Sequence, residues 1–530
     1  MPARRWRRCR AAENEREEQQ ETTEMSYPTI VFSGRTFTPE WMEAEVERLC
    51  AGLEAAAVAH GQTVAVMMRN SPAYAALILA CRRAGVYFVS LNWHCKPPEA
   101  AFMLEDSGAA MLFVHDDLLA QVLAGVPAGV ALVAVPADPA RPLPDVSGRA
   151  ARWDGFGVGV PPMASRPRLH FGSVQYTSGT TGKPKGVRRL ALAPEVRDAL
   201  ELESRRIGRI ASGMAPGVTA MLCAPIYHSA STMYLVQACD AGATLILEPA
   251  FDALRTLELI ERHAVTHAYL VPTMYRRLLA LGEAERARFS VATLRHVAST
   301  GSPCPPEVKR RMIDWFGPVI TEAYGASETG YVTFIDSPTW LANPGSVGQA
   351  LGPAQLRIVD EAGRALPAGQ VGAIHVRQPA LPDFTYVNNQ AARDAMEQDG
   401  LVALGDVGYL DERGFLYICD RRTDMIISGG VNIYPAEVEA VLQGMPGVAD
   451  CAVFGIPDEE FGEGVAAAVQ LRPGAELDAA RIQAFLRAHI ANFKVPRTID
   501  FHAALPREDT GKIFKRLLRE PYWRDQTRRI

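Results

Sequence analysis

The sequence predicts an α/β protein. A large N-terminal domain of several subdomains carries parallel-type sheets covered by helices, and a small α+β domain follows at the C-terminus. Three observations lead there. The chain has 530 residues, too many for one hydrophobic core. Short apolar runs alternate with helical periodicity from about residue 38 to residue 271, the pattern of strands crossing over through helices. The mixture of helix and strand then changes character after Asp420, over about 100 residues, an ordinary domain size.

The elements follow in order. Thr38-Pro39-Glu40 reads as a helix start, with Thr38 as N-cap and Pro39 in the first turn. Met42, Val46, Leu49 and Leu53 continue it at helical spacing. Val64 to Met68 reads as a buried strand, Pro72 to Arg83 as a helix, Val86 to Leu91 as a strand, Pro97 to Leu104 as a helix and Met111 to Val114 as a strand. Residues 125 to 170 are rich in Pro, Gly and Ala and read as surface loops with short strands. Strands are expected again at Ala220 to Cys223, Thr244 to Glu248 and Ala268 to Val271, with a helix at Leu254 to His263. Beyond Asp420, Ala436 to Gln443 and Ala479 to Ile490 read as helices, and Asp450 to Phe454 and Val465 to Leu471 as strands.

Composition narrows the function. Apolar residues make up 48% and charged residues 22%, with a formal charge of −5. No basic field argues for nucleic acid as a partner. The nine cysteines are odd in number and form no CxxC pair, which reads as reduced thiols in a cytoplasmic protein. His263 and His267 share an HxxxH spacing without a third ligand close by, so they read as structural or surface residues rather than a zinc site. There is no apolar run of about 18 residues, so no transmembrane segment is expected. Peripheral membrane contact and a homodimer are left open. Residues 1–25 begin with an arginine cluster and continue with acidic and amide residues. That composition predicts a disordered extension, and Met25 reads as an alternative start.

The chemistry concentrates in a few segments. Tyr176-Thr-Ser-Gly-Thr-Thr-Gly-Lys-Pro-Lys-Gly186 packs three glycines, four Ser/Thr residues and two lysines into one stretch. Backbone N–H groups turned inward, with hydroxyl and ammonium donors beside them, suit phosphate oxygens. The spacing is not that of a Walker A loop, because two residues rather than four separate Gly179 from the Gly182-Lys183 pair. The other reading of such a string is a polar surface loop. Further along come Gly301-Ser302-Pro303, Tyr324-Gly325-Ala326-Ser327-Glu328, Asn343-Pro344-Gly345-Ser346-Val347-Gly348, Gly405-Asp406-Val407-Gly408, Asp420-Arg421-Arg422-Thr423-Asp424, Ser428-Gly429-Gly430 and Thr510-Gly511-Lys512.

In this order, and over about residues 27 to 520, these segments resemble the adenylate-forming superfamily: acyl-CoA synthetases, firefly luciferase and the adenylation domains of nonribosomal peptide synthetases. The resemblance is strongest to acyl-CoA synthetases. It implies a 26–420 adenylation domain and a mobile 421–530 C-terminal domain, turning about a hinge at Asp420-Arg421. Thr423 departs from the Asp or Lys usual there, and Leu404 and Ser327 each replace a usual Thr. The resemblance implies that Thr177, Ser178, Gly179, Thr180, Thr181, Gly182, Lys183 and Lys185 hold the ATP phosphates. Gly301, Ser302 and Pro303 would lie against adenine, with Tyr324 stacking on it and Gly325 among the nucleotide-binding residues. Ser327 would meet the α-phosphate, Glu328 would hold Mg²⁺, and Asp406 and Arg421 would bind the ribose. Ser428, Gly429 and Gly430 would line the path of CoA. Lys512 would bridge the substrate carboxylate and the α-phosphate, where a cation offsets developing charge.

The reaction so implied joins a carboxylic acid to ATP, releases pyrophosphate and passes the acyl group to a thiol. No nucleophilic Ser-His-Asp or Cys-His set stands out, consistent with a step that needs positioning and charge neutralisation. Only 18 residues follow Lys512, so an attached carrier domain is not expected and CoA is the expected acceptor. A ligase serving a separate carrier protein is the alternative. His228 in Pro225-Ile226-Tyr227-His228-Ser229 sits where amino-acid-activating relatives usually place an Asp; it would shape an acid pocket, or else be a core histidine. Met233, Tyr234, Ala298, Ser299, Thr300 and Tyr331 should line that pocket. Their mixed, partly apolar character favours a medium- to long-chain fatty or other hydrophobic acid, with an aromatic acid next.

Overall fold

A computed structural model of the chain describes residues 27–143, 148–164, 172–177, 184–422, 424–428, 431–507 and 513–524. The expected extension at 1–25, six residues of the phosphate string (178–183), Thr423, Gly429, Gly430 and Lys512 lie outside the described residues.

Among the described residues, four sheets organise the fold. An eight-stranded sheet runs in the order Phe384–Tyr386, Lys185–Arg189, Ser173–Thr177, Tyr87–Ser90, Thr63–Met67, Ala109–His115, Ala131–Val135, Ala150–Arg152. Its pairings are parallel from Ser173–Thr177 onward. A nine-stranded sheet carries the parallel strands Thr29–Phe32, Thr244–Leu247, Thr219–Leu222, His267–Tyr269, His296–Ser299 and Ile320–Ala326 at its centre. Helices Pro39–Ala55 and Pro72–Ala84 lie against each other, and one apolar core joins them to both sheets through residues such as Leu49, Leu77, Val64 and Leu245. A strand buried on both faces reads as a continuous apolar run; Thr63–Met67, all five residues buried, is such a case.

The helix caps fall where sequence chemistry puts them. Thr38 Oγ1 accepts from the Trp41 N–H at the head of Pro39–Ala55. The helix Pro72–Ala84 ends on Gly85, whose φ of 66° is the left-handed stop that glycine takes without a Cβ clash. Strands and helices agree with the sequence expectation in place and type and differ by a residue or two at most ends, whereas the strands expected at Asp450 to Phe454 and Val465 to Leu471 are the longer Val448–Asp458 and Gly462–Leu471. Two regions depart from it. Within 125–170, Ala131–Val135 is an interior strand with four of its five residues buried, not a surface segment. Residues 355–421 build an antiparallel five-stranded sheet from Gln355–Val359, Gly372–Arg377, Glu397–Gln398, Leu401–Leu410 and Leu416–Arg421, which no periodicity had signalled.

The fourth sheet comprises Val431–Ile433, Ile426–Ser428, Gly462–Leu471, Val448–Asp458 and Thr498–Phe501. Side chains alternate across it, as the period of two requires. Cys451, Val453, Val465 and Ala467 face a core shared with Val438, Leu442, Ile482 and Leu486 of helices Pro435–Gly444 and Ala479–His489. Ala452, Phe454, Ala466 and Ala468 face Leu518 of helix Lys515–Trp523 on the other side. Among the described residues no helix is long and apolar enough to cross a membrane.

Candidate active site

The sheets converge on one cleft of about 1720 Å³. The eight-stranded sheet contributes Gln175, Tyr176, Thr177 and Lys185; the nine-stranded sheet and its loops contribute His228, Ser229, Thr300, Gly301, Ser302, Ser327 and Glu328; the antiparallel sheet contributes Asp406 and Arg421; the last unit contributes Ile427, Asn432 and Tyr434. Thr177 pairs with Lys185 across neighbouring antiparallel strands, so both ends of the glycine-rich string reach the cleft.

Local geometry explains why the acidic turn projects there. The strands Ile320–Ala326 and Gly330–Asp336 close a hairpin in which Thr329 N–H donates to the Ala326 carbonyl at 3.2 Å. The register shifts between Tyr324 and Gly325. A Cβ at Gly325 would sit 1.9 Å from the Gly330 carbonyl oxygen, so only glycine lets the strands close. Ser327 and Glu328 are thereby carried on the tip.

Three interactions fix that tip. Arg189 donates from Nη1 to the carbonyls of Glu328 at 2.6 Å and Pro382 at 3.0 Å, and from Nη2 to the carbonyl of Ser327 at 2.7 Å. Burial lowers this guanidinium's pKa to about 10, opposed by the charges of Glu328 and Asp383, so it remains a cation near neutrality. The Tyr386 hydroxyl donates to Glu328 Oε1 at 2.8 Å; burial, with the Glu328 charge behind it, raises that phenol's pKa, and the hydroxyl keeps its proton. The hydroxyls of Ser229 and Ser327 lie 2.9 Å apart, tying the helix Ser229–Asp240 to the same turn.

Opposite, Gly405 adopts φ 81° and presents Asp406, which is 7% exposed. Asp406 Oδ2 accepts from the Tyr324 hydroxyl at 2.6 Å, and Oδ1 faces Arg421 Nε at 3.2 Å. Burial, then the Asp406 charge, holds the Tyr324 phenol well above its usual pKa. Asp420, next in the chain, accepts from the Ala436 N–H at 2.8 Å, at the head of the helix Pro435–Gly444.

Of the residues expected from sequence, Thr177, Lys185, His228, Gly301, Ser302, Gly325, Ser327, Glu328, Asp406 and Arg421 line this cleft. Tyr324, Pro303 and Ser428 are not lining residues; Tyr324 joins the site through Asp406. Met233, Thr300 and Tyr331 line the inner end, whereas Tyr234 and Ala298 belong to the core behind it and Ser299 is buried there. Tyr269 and Val271 join the inner wall. Arg189 and Tyr386 escaped the sequence reading. The adjacent pair Arg188-Arg189, in the strand that leaves the glycine-rich string, was the available signal; nothing in sequence linked Tyr386 to Glu328.

A cleft with room for a nucleotide, with the two ends of the glycine-rich string, Thr177 and Lys185, on one wall and a carboxylate-bearing turn on the other, defines an adenylate-forming enzyme. The family model of the AMP-binding enzymes matches residues 16–382, and the model of their C-terminal domain matches residues 437–512. The chain belongs to the AMP-binding enzyme family and is an ATP-dependent, AMP-forming ligase. It is 32% identical over 522 residues to the fatty acid–[acyl-carrier-protein] ligase ScoC of Streptomyces coeruleorubidus, covering 96% of each chain. It is 34% identical to the indoleacetate–CoA ligase of Aromatoleum aromaticum, covering 92% of this chain and 93% of that one. Its fold matches o-succinylbenzoate CoA synthetase (MenE) of Bacillus subtilis, solved with ATP and magnesium, at a TM-score of 0.77 and 26% identity, covering 95% of this chain and 98% of that one.

Proposed function

We propose that this enzyme activates a hydrophobic carboxylic acid as its acyl-adenylate and transfers the acyl group to CoA. The observation that carries the reading is the convergence of Thr177, Lys185, Ser327, Glu328, Asp406 and Arg421 on one cleft with His228 at its inner end. In this reading the cleft takes ATP with its phosphates between the 177–185 hairpin and the Ser327-Glu328 turn. Asp406 and Arg421 receive the ribose, since a carboxylate can accept from both hydroxyls. Gly301 and Ser302 lie along the base, and Tyr324 supports that wall through Asp406.

The donor set fits Mg²⁺. Glu328 offers one hard carboxylate oxygen beside the one held by Tyr386, the Ser327 hydroxyl lines the same cleft, and magnesium is typically shared between one or two carboxylates and substrate phosphates. When bound it would neutralise phosphate charge. Lys185 and Ser327 donate toward the phosphates, and the acid carboxylate attacks the α-phosphorus in line as pyrophosphate leaves. Lys512 supplies a cation at that centre by resemblance. The thiol then attacks the mixed anhydride and AMP leaves. We place the domain boundary at 420/421, with residues 421–530 turning between the two half-reactions so that Ser428, Gly429 and Gly430 meet the pantetheine arm.

The likeness to ScoC supports a second acceptor, a carrier protein. The test is ATP–pyrophosphate exchange followed by mass-spectrometric detection of the thioester with CoA. Exchange and acyl-CoA together meet the expectation. Exchange with AMP release but no acyl-CoA moves the acceptor to a carrier protein, and no exchange with any acid sinks the ligase reading. In a second arm, Lys512→Ala should abolish exchange yet leave thioester formation from supplied acyl-adenylate largely intact.

A further inference from the structure

Behind the Ser229–Ser327 hydroxyl pair lies a side cavity of about 40 Å³, room for about one water molecule. It shares Gln175, Ser229, Met233, Ala326 and Ser327 with the main cleft. Its far wall holds two arginines. Arg82 is 9% exposed and paired bidentately with Asp240, at 3.0 and 3.3 Å. Arg189 is tied to the carbonyls of Ser327, Glu328 and Pro382. Phe88, Val187, Val236 and Leu381 supply the apolar remainder.

We infer that Arg189 and Arg82 close the acid compartment at its rear and limit the enzyme to compact acids, those whose body ends at Met233 rather than long alkyl chains. This rests on the ligase reading above and deepens it. A chain passing Met233 enters a space too small for more than about one methylene-sized group. To go farther it must displace a guanidinium from buried partners, and hydrogen bonds to a charged group are among the costliest to lose. An alkyl terminus cannot replace those bonds, so the charge would be left desolvated and unpaired. Neither arginine has an easy retreat, because the sheet and the Ser229–Asp240 helix hold the partner atoms in place. In front of the wall, Tyr269 and Tyr331 join Met233 and Val271 in the lining, aromatic and apolar side chains that suit a flat ring as well as a short chain.

The test is ATP–pyrophosphate exchange, which needs no thiol acceptor, over two acid series: straight chains from butanoic to hexadecanoic acid, and benzoic, phenylacetic, cinnamic and indoleacetic acids. The expected best substrate is an aryl acid or a chain of about eight carbons or fewer, with hexadecanoic acid lower in kcat/KM by about a hundredfold or more. Hexadecanoic acid within about tenfold of the best substrate overturns the size limit while leaving the ligase reading standing. Absence of exchange with every acid overturns both. A second variant tests the wall itself. Val236→Ala enlarges the cavity without touching either arginine's partners, and it should move the chain-length optimum longer by one or two methylenes. A folded variant with an unmoved optimum overturns the proposal.

Discussion

The Arg189 guanidinium and the Glu328 main chain form a direct contact: Nη1 donates to the Glu328 carbonyl at 2.6 Å, while the carboxylate of the same residue points to Tyr386 at 2.8 Å. A cation on the backbone side and a phenol on the side-chain side thus hold the turn that is read here as the Mg·ATP site. Arg189→Met should lower kcat/KM for Mg·ATP by about ten- to a hundredfold, about 1.4–2.7 kcal/mol, while KM for an acid too short to reach the wall behind Met233, such as butanoic acid, changes less than about threefold. Steady-state kinetics with each substrate varied in turn check this. Arg189→Lys, which keeps the charge but not the fork, should recover only part of the loss. An equal rise in both KM values would mean that the arginine only holds the fold.

Asp406 bridges Tyr324 and Arg421 from one buried carboxylate. Asn keeps an acceptor for the phenol but loses the charge that faces the guanidinium. Asp406→Asn should therefore raise KM for ATP about tenfold with little loss of fold stability, and 2′-deoxy-ATP should separate the roles. The wild-type enzyme should lose affinity with the deoxynucleotide, and the variant should lose much less. Additive losses would place the ribose elsewhere.

How much of this was legible follows from what each signal depends on. The strands and helices before residue 271 were readable because burial and periodicity are local. The ends of the glycine-rich string, Thr177 and Lys185, were readable because phosphate contact demands an unusual composition. The sheet built on 355–421 was not, since its strands mix half-buried and exposed positions and are held by partners distant in sequence, as Asp406 is by Arg421. The Arg189 clamp was invisible for a related reason. Its partners are main-chain carbonyls at 327, 328 and 382, and carbonyls have no sequence signature. Tyr234 was expected in the pocket wall and instead packs 5.5 Å from Tyr269 in the core behind it. On a helix one position of rotation decides between the two, and the residue types alone do not.

Two histidines make stability fall in mild acid. His115 is 1% exposed, with Nδ1 accepting from the Arg69 N–H at 3.3 Å, and burial followed by the Arg69 charge lowers its pKa to about 3. His267 is 9% exposed and stacks on His296, and burial lowers its pKa to about 4. Both are neutral in the fold, whereas the unfolded chain takes up protons near 6.5. The unfolded state thus binds more protons between these values, and stability drops as pH falls below about 6.5, by up to about 1.4 kcal/mol per pH unit for each group. Urea titrations from pH 7.5 to 5 should show that slope, and His115→Asn should make it shallower by about one proton. A pH-independent midpoint over that range would contradict the assignment.

Asp450 connects the last unit to the rest. It is 8% exposed on the strand Val448–Asp458 and accepts from Arg276 at 2.7 Å, on the helix Pro272–Ala280 beyond the cleft. It also pairs with Arg507, five residues before Lys512. One carboxylate therefore ties the strand Val448–Asp458 and Arg507 to the body that carries Ser302 and Glu328. Asp450→Asn removes the charge and leaves Arg276 and Arg507 facing each other, and the two guanidinium charges already oppose each other, with burial the larger influence lowering the Arg507 pKa to about 10. If the 421–530 unit turns between half-reactions, the substitution should weaken the arrangement of this structure, in which Ile427, Asn432 and Tyr434 line the cleft, and leave the other untouched. Thioester formation from supplied acyl-adenylate should fall about tenfold, since loss of a buried charge pair's partner costs at least one such factor, while ATP–pyrophosphate exchange stays within about twofold. The ratio of the two rates, rather than either alone, is the readout, because simple loss of folded enzyme lowers both together and leaves it unchanged.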